Sequence, residues 1–321
     1  MGWGRLKKRV GLGRRVGSAA FVLPTMAFEF EPNFVSAARL DGRARQVRRM
    51  GVRELEPEAL APFPNRSNLA NNAAVRQAVG EVAERVGHAG GRVGVLLPDP
   101  SVRVTILSFE TLPSDRREAE ALVRWRMREV LPYPPEEARA SYQVLWREAD
   151  SVELLALAVR QSVVAEYETA LEGINGGAAL VLPSTVALLP LLPEDPQANQ
   201  LLLHVCAGSI TTVIVAADRV RYWRNYVTRL DAGAQAEEIS RETSRVLATC
   251  RDHLQVEIDN VWICARPPVA PEVHEALVAA VGRGVKPLSA AVRHTGSLPP
   301  GEQELFNRYG APFAGLVANQ G

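Results

Sequence analysis

The sequence predicts an α/β fold of two similar lobes, the first of which carries an inserted subdomain. Three features lead to this. A strand–turn–strand unit occurs twice, at residues 26–40 and 201–221, with a proline-rich polar joint at 192–200 (LPEDPQANQ) between the two halves. Between the first unit and that joint, the pattern runs β-α-β-β-α, which is more than one lobe of this plan needs. With 321 residues, of which 47% are hydrophobic and 23% charged, the chain is long enough for two packed cores.

The first unit, MAFEFEPNFVSAARL, alternates apolar and polar residues and is broken by Glu31-Pro32-Asn33. Residues 72–86 place Val75, Val79, Val82 and Val86 on one helical stripe, and 92–97 form an apolar strand that Pro98-Asp99-Pro100 ends. A strand over 101–109 is followed by a turn at Leu112-Pro113. Ser114 is then a candidate N-cap for a helix reaching Val130, which the run Leu131-Pro132-Tyr133-Pro134-Pro135 stops because proline lacks the donor that the next turn requires. Strands at 142–146 and 153–159 and a helix at 162–171 complete the block.

The second unit, LLLHVCAGSITTVIVAADRVR, turns at Ala207-Gly208-Ser209. Its uncharged stretch 201–217 approaches membrane-spanning length. His204, Gly208, Ser209, Thr211 and Thr212 interrupt it with strand-like alternation, so it reads as a hairpin. A helix at 235–254 turns Ile239, Val246 and Leu247 inward, 259–264 is a buried strand, and Pro271 suits the first turn of a helix over 271–281. A small-residue segment, 309–317, closes the chain. The expected division is a basic segment at 1–25, a first lobe at 26–195 with an insertion at about 93–175, and a second lobe at 196–321.

The 37 Lys and Arg against 36 Asp and Glu leave a net charge of +1, which gives no global signal for nucleic acid. Cys206, Cys250 and Cys264 form no CxxC pair, so neither a zinc site nor a disulfide framework is expected, and a reducing cytoplasm fits. The N-terminal Arg5, Lys7, Lys8, Arg9, Arg14 and Arg15 precede a short apolar run that Pro24 interrupts, unlike a secretory leader. Such a segment is either a solvated tail or a contact for anionic lipid.

Several stretches resemble the type IV pilus assembly protein PilM family, which shares the actin-like fold with the cell-division protein FtsA. They are GVLLPDPSVRVTILSFETLP at 94–113, the Arg/Glu-rich helix after it, LPYPPEEARASYQVL at 131–145 with Pro132, Pro134, Glu136, Glu137, Tyr142 and Gln143, and the terminal YGAPFAGL. The resemblance implies an actin-like, duplicated ribonuclease H-like fold. It also implies a cytoplasmic scaffold at the inner face of the inner membrane, holding the tail of a PilN-like inner-membrane protein. The GspL-type secretion scaffold is similar as well and would differ in its partner.

Actin-like ATPases open each hairpin with Asp-X-Gly, the Asp organising magnesium and the glycine admitting phosphate to backbone amides. The matching positions here are Glu29 and Glu31, then His204 and Cys206, with Pro32, Asn33, Gly208, Ser209 and Thr211 around the turns. The adenosine-side glycines would fall at Cys264-Ala265-Arg266-Pro267. A carboxylate about 4 Å from a phosphate oxygen costs roughly 4 kcal/mol at an effective dielectric near 20. No ATP, no metal and no catalysis are therefore expected of this degenerate cleft. The alternative is an ATPase in which Glu29 holds magnesium and Ser209 with Thr211 holds phosphate.

Two pairs admit sharper readings. His204 with Cys206, and Glu29 with Glu31, lie two apart on strands and so share a face, as a base with a nucleophile or as an acid–base pair would. Against these stand core packing for the first pair and pairing with arginine for the second. No GxxxxGK[ST] occurs, and Lys is found only at positions 7, 8 and 286. The helical Arg124, Trp125 and Arg128, with Arg126, have the composition of an interface anchor and are the candidate partner contact; a buried Trp125 with solvated arginines is the alternative.

Overall fold

Both hairpins form around two-residue turns. In the first, β1 (Met26–Glu31) and β2 (Phe34–Asp41) flank Pro32-Asn33, and in the second, β9 (Gln200–Cys206) and β10 (Ser209–Ala216) flank Ala207-Gly208, where Gly208 has φ +77°. The computed structural model describes residues 23–87, 91–174, 177–228, 232–268, 271–282, 284–288 and 298–319, so the basic segment up to residue 22 lies outside the described residues. The first hairpin continues into β3 (Gln46–Glu54), and β4 (Val93–Leu97) and β8 (Ala178–Pro183) complete a sheet of order β3-β2-β1-β4-β8. The second continues into β11 (Arg219–Val227), with β12 (Asn260–Arg266) and β13 (Val285–Pro287) in the matching order β11-β10-β9-β12-β13. In each sheet the first three strands are antiparallel and the last three parallel.

The duplication extends to single hydrogen bonds. Just past the third strand of each half, a backbone N–H donates to the hairpin turn: Leu55 N to Asn33 O and Thr228 N to Gly208 O, both at 2.9 Å. Between β10 and β11, Ala217 and Asp218 have φ of +50° and +56°, the paired left-handed conformation of a tight hairpin turn. The uncharged stretch 201–217 is thus hairpin, and among the described residues no helix is long and apolar enough to cross a membrane.

On the first sheet packs α1 (Asn72–Val86), whose Val75, Val79, Val82 and Val86 are all buried as the stripe predicts. The insertion is a separate three-stranded sheet of order β5-β7-β6, from β5 (Arg103–Phe109), β6 (Ala138–Glu148) and β7 (Ser151–Arg160), covered by α2 (Arg116–Arg126). Its own core contains Val123, Met127, Tyr133, Leu154 and Ala156. Asp115, not Ser114, caps α2, its carboxylate accepting from Glu118 N at 3.0 Å. The insertion is narrower than 93–175, since β4 belongs to the first sheet and α3 (Gln161–Ala170) returns to the first core, Tyr167 meeting Phe30 edge-on at 5.1 Å.

The second lobe buries the other face of its sheet against α5 (Ala232–Thr249), which continues through a π-helical turn, and α6 (Pro271–Val281). It ends earlier than residue 321. The last two helices, α7 (Pro300–Tyr309) and α8 (Ala311–Ala318), go back to the first lobe, where Glu302 accepts from Arg49 Nε and Met50 N, both at 2.8 Å. Phe306, Tyr309 and Phe313 join the core of Phe28 and Phe34. The outward connection from the first lobe is α4 (Ser184–Leu188), which α8 crosses closely.

Candidate functional site

Parallel strands of a twisted sheet open a crevice at their carboxyl ends, and duplication brings two such crevices face to face. Four strand ends meet there. Glu29 and Glu31 come from β1, Asp99 follows β4, His204 and Cys206 come from β9, and Arg266 ends β12. All six are buried, Arg266 being 1% exposed and Glu29 fully covered. The residue pairs two apart on their strands do converge on one place, as the period of a strand requires.

Arg266 is the centre. Its Nη1 donates to Glu29 Oε1, its Nη2 donates to His204 Nε2, and Nη2 lies 3.6 Å from both Glu31 Oε1 and Cys206 Sγ. Ser36 also donates to Glu29, at 3.3 Å. With Nε2 of His204 accepting, Nδ1 carries the proton and faces Asp99 Oδ2 at 3.1 Å. Asp99 further accepts from the hydroxyls of Thr185 and Thr211 and from Thr185 N, at the start of α4. Asn225 in turn donates to Thr211 Oγ1 at 2.9 Å.

The electrostatics follow from this wiring. Burial favours neutral His204, and the adjacent Arg266 adds to that, so its pKa falls despite Asp99. Burial would raise the Asp99 carboxyl, but hydrogen bonds from His204, Thr185 and Thr211 hold it below the usual range. Burial pushes the Cys206 thiol well up, with Glu31 adding to it, which leaves no thiolate nucleophile. Burial lowers Arg266, yet the charge of Glu29 more than offsets this and keeps the guanidinium protonated.

Glu31 is the exception. Burial pushes its carboxyl up to about 8, with Arg266 opposing only partly and the charges of Glu29 and Asp99 adding to the rise. A carboxyl whose pKa is higher folded than unfolded takes up a proton on folding. The stability this brings is complete below the ordinary value of 4.5 and is lost as pH rises through about 8. Glu31→Gln, which cannot titrate, should therefore melt with the wild type at pH 5 and several degrees above it at pH 9. Parallel melting curves across that range, by circular dichroism, would show that Glu31 is not the buried acid described.

Glu31, His204 and Cys206 also place one ligand atom each within 4.8 Å of the others, a donor set zinc accepts. Arg266 Nη2 stands among those three atoms, however, and is itself the cation they face. Nor do the residues fit magnesium and a triphosphate. Glu29 is committed to Arg266 and Ser36, and the Thr211 hydroxyl to Asp99 and Asn225. A phosphate entering beside Glu31 would meet a carboxyl, and the turn before Asn33 has proline in place of a donor. Ser209 is buried, Gly208 is exposed at its turn, and Ala265 lies half-buried in β12.

Sequence reasoning placed Glu29, Glu31, His204, Cys206 and Thr211 in one cleft and missed Asp99, Thr185 and Arg266 as its other half. Asp99 lies in Pro98-Asp99-Pro100, which reads as a strand stop, and Arg266 in a segment notable for glycines it lacks. The useful signal was positional: both stand at the carboxyl end of the fourth strand of their half.

The candidate partner contact lies on the insertion, apart from this cluster. Trp125 is 50% exposed, with the Arg128 guanidinium 4.1 Å from its ring centroid, and Arg124 is exposed beside it. Val123 and Met127, flanking Trp125 in sequence, supply the helix's buried face instead.

No family model matches the chain, and no curated protein matches it in sequence. Among solved structures it is similar to the PilM-PilN type IV pilus biogenesis complex, with a TM-score of 0.75 and 19% identity over 92% of this chain and 97% of that one. A Bacteroides thetaiotaomicron protein of actin-like ATPase fold and unknown function follows at a TM-score of 0.56 and 8% identity, over 92% and 95% of the two chains. The cytoplasmic domain of EpsL, an inner-membrane component of the type II secretion system of Vibrio cholerae, aligns at 0.46 and 11% identity, over 92% and 93%. The fold is actin-like.

Proposed function

We propose that this chain is a PilM-like scaffold of a type IV pilus assembly complex, which works without nucleotide and binds the cytoplasmic tail of a PilN-like inner-membrane protein. The observation that carries the nucleotide-free part is Arg266, whose side chain fills the interlobe crevice, pairs with Glu29 and lies 3.6 Å from Glu31. Likeness to the PilM-PilN complex over nearly the whole chain, insertion included, supports the scaffold and its partner. In this reading the protein is cytoplasmic and reaches the inner membrane through its partner. The tail adds as an extended segment to the first lobe and insertion, with Trp125 stacked on Arg128 as an anchor beside Arg124.

Calorimetric titration tests both halves. The N-terminal peptide of a PilN-like protein should bind at micromolar concentration, while magnesium and ATP should release no heat. Trp125→Ala should weaken the peptide by about tenfold, the cost of a moderate anchor, and leave the melting temperature unchanged. ATP binding that is lost in Glu29→Gln would overturn the nucleotide-free reading, and unchanged peptide affinity in Trp125→Ala would remove the anchor.

A further inference from the structure

The buried cluster joins one lobe to the other through Arg266–Glu29, Asp99–His204 and Asp99–Thr211. Glu29, Glu31, Asp99 and Thr185 belong to the first lobe, and Arg266, His204 and Thr211 to the second. Arg266 ties Glu29 to His204, and Asp99 ties His204 and Thr211 to the start of α4. A second connection lies outside the cluster. Arg219 of β11 sits 3.8 Å from Glu153 of the insertion, its guanidinium 4.1 Å from the centroid of the Trp146 ring. The chain leaves the first lobe at α4, where α8, itself on the first lobe, braces it, Gly315 packing against the Ala187 backbone. This braced exit is the pivot, and the contacts that could hold the lobes shut are side chains of their own.

From this geometry we infer that the cluster is a built-in interlobe bolt: the guanidinium of Arg266 and the carboxylate of Asp99 lock the two lobes in one closed arrangement that no bound ligand controls. The bolt is selective for the closed state because it is buried. Opening would strip Arg266 from Glu29 and Asp99 from His204 and Thr211 together, and charges separated in a buried cleft are far costlier than those at a surface. A ligand shifts a lobe equilibrium only by binding one state more tightly, and here the side chains already occupy the closed cleft. The platform offered to partners is then rigid, with the insertion clamped to the second lobe through Arg219. This inference holds whether or not the partner is a pilus protein.

The experiment is a spin–spin distance measurement across the lobes of the full chain. Labels at Ala73→Cys on α1 and Ser244→Cys on α5 occupy exposed positions, while Cys206, Cys250 and Cys264 are buried and out of reach of the label. The otherwise wild-type protein should give one narrow distance distribution, identical with and without magnesium and ATP. Arg266→Gln should broaden it by about twofold or add a longer distance, as a freed hinge does. Thr211→Val, which removes one interlobe hydrogen bond, to Asp99, together with the one from Asn225 and keeps every charge, should broaden it less, and it decides the matter if Arg266→Gln does not fold. A broad or two-peaked distribution in the parent, a shift with ATP, or narrow distributions in the folded variants would each overturn the bolt.

Discussion

Arg266→Ala should lower the free energy of unfolding by about 3–5 kcal/mol, the largest loss expected from removing any one charged side chain among the described residues. Two terms add. The substitution removes the counter-charge of Glu29, which is fully buried and otherwise accepts from the Ser36 hydroxyl, and it leaves His204 Nε2 with the Cys206 thiol alone, 3.0 Å away. Burying a charged group without a partner is costlier than never having the pair, so the loss reflects what remains behind.

A double-mutant cycle makes the claim specific. Glu29→Gln alone leaves Arg266 facing only the more distant Glu31, and should cost a similar amount. Removing both partners should cost much less than the sum of the two, by about 2 kcal/mol or more. Urea denaturation of the four proteins gives the coupling directly. Additive losses would mean that the two side chains do not act as a pair.

How much of this could be read beforehand depends on distance along the chain. The hairpins, the valine stripe of α1 and the β-rich stretch 201–217 were legible because their signals are local periodicities. The pairing of Glu29 with an arginine was also within reach, but its identity rests only on the place of Arg266 at a strand end in the expected cleft, because the two residues are 237 positions apart. Asp99 was hidden by its prolines, which announce a chain stop whatever lies between them. The same limit explains the domain boundary. The segment 300–318 looks like the natural end of the second lobe, yet Phe306, Tyr309 and Phe313 find their partners in the first, as a long-range packing choice that periodicity does not encode.

Trp125 shows the reverse case. A helix rich in arginine with a tryptophan near its end is compatible with burial or exposure, and helical phase decides between them. Val123 and Met127 are four apart and face the insertion core, which turns Trp125 to solvent. The phase was available in the sequence, but the composition of the patch drew attention away from it.

The second large effect is expected at Gly315. A Cβ built there would lie 1.7 Å from the carbonyl oxygen of Ala187 and 2.9 Å from its carbon, both backbone atoms that no rotamer change can move. Gly315→Ala must therefore push α8 and α4 apart, by more than an ångström, where the chain leaves the first lobe. Overpacking of this kind costs typically 1–3 kcal/mol and more where backbone is the obstacle, so a loss of at least 3 kcal/mol, or failure to fold, is expected. The control is Gly80 on α1, where nothing lies within 4 Å of the added methyl. There the same substitution should stabilise by about 0.5–1 kcal/mol, because alanine has less backbone freedom to lose in a helix. Opposite signs at the two glycines, measured by urea denaturation, would place the close crossing at Gly315. A neutral Gly315→Ala would mean that the helices do not touch there, and that the lobes have no fixed pivot for Arg266 to bolt.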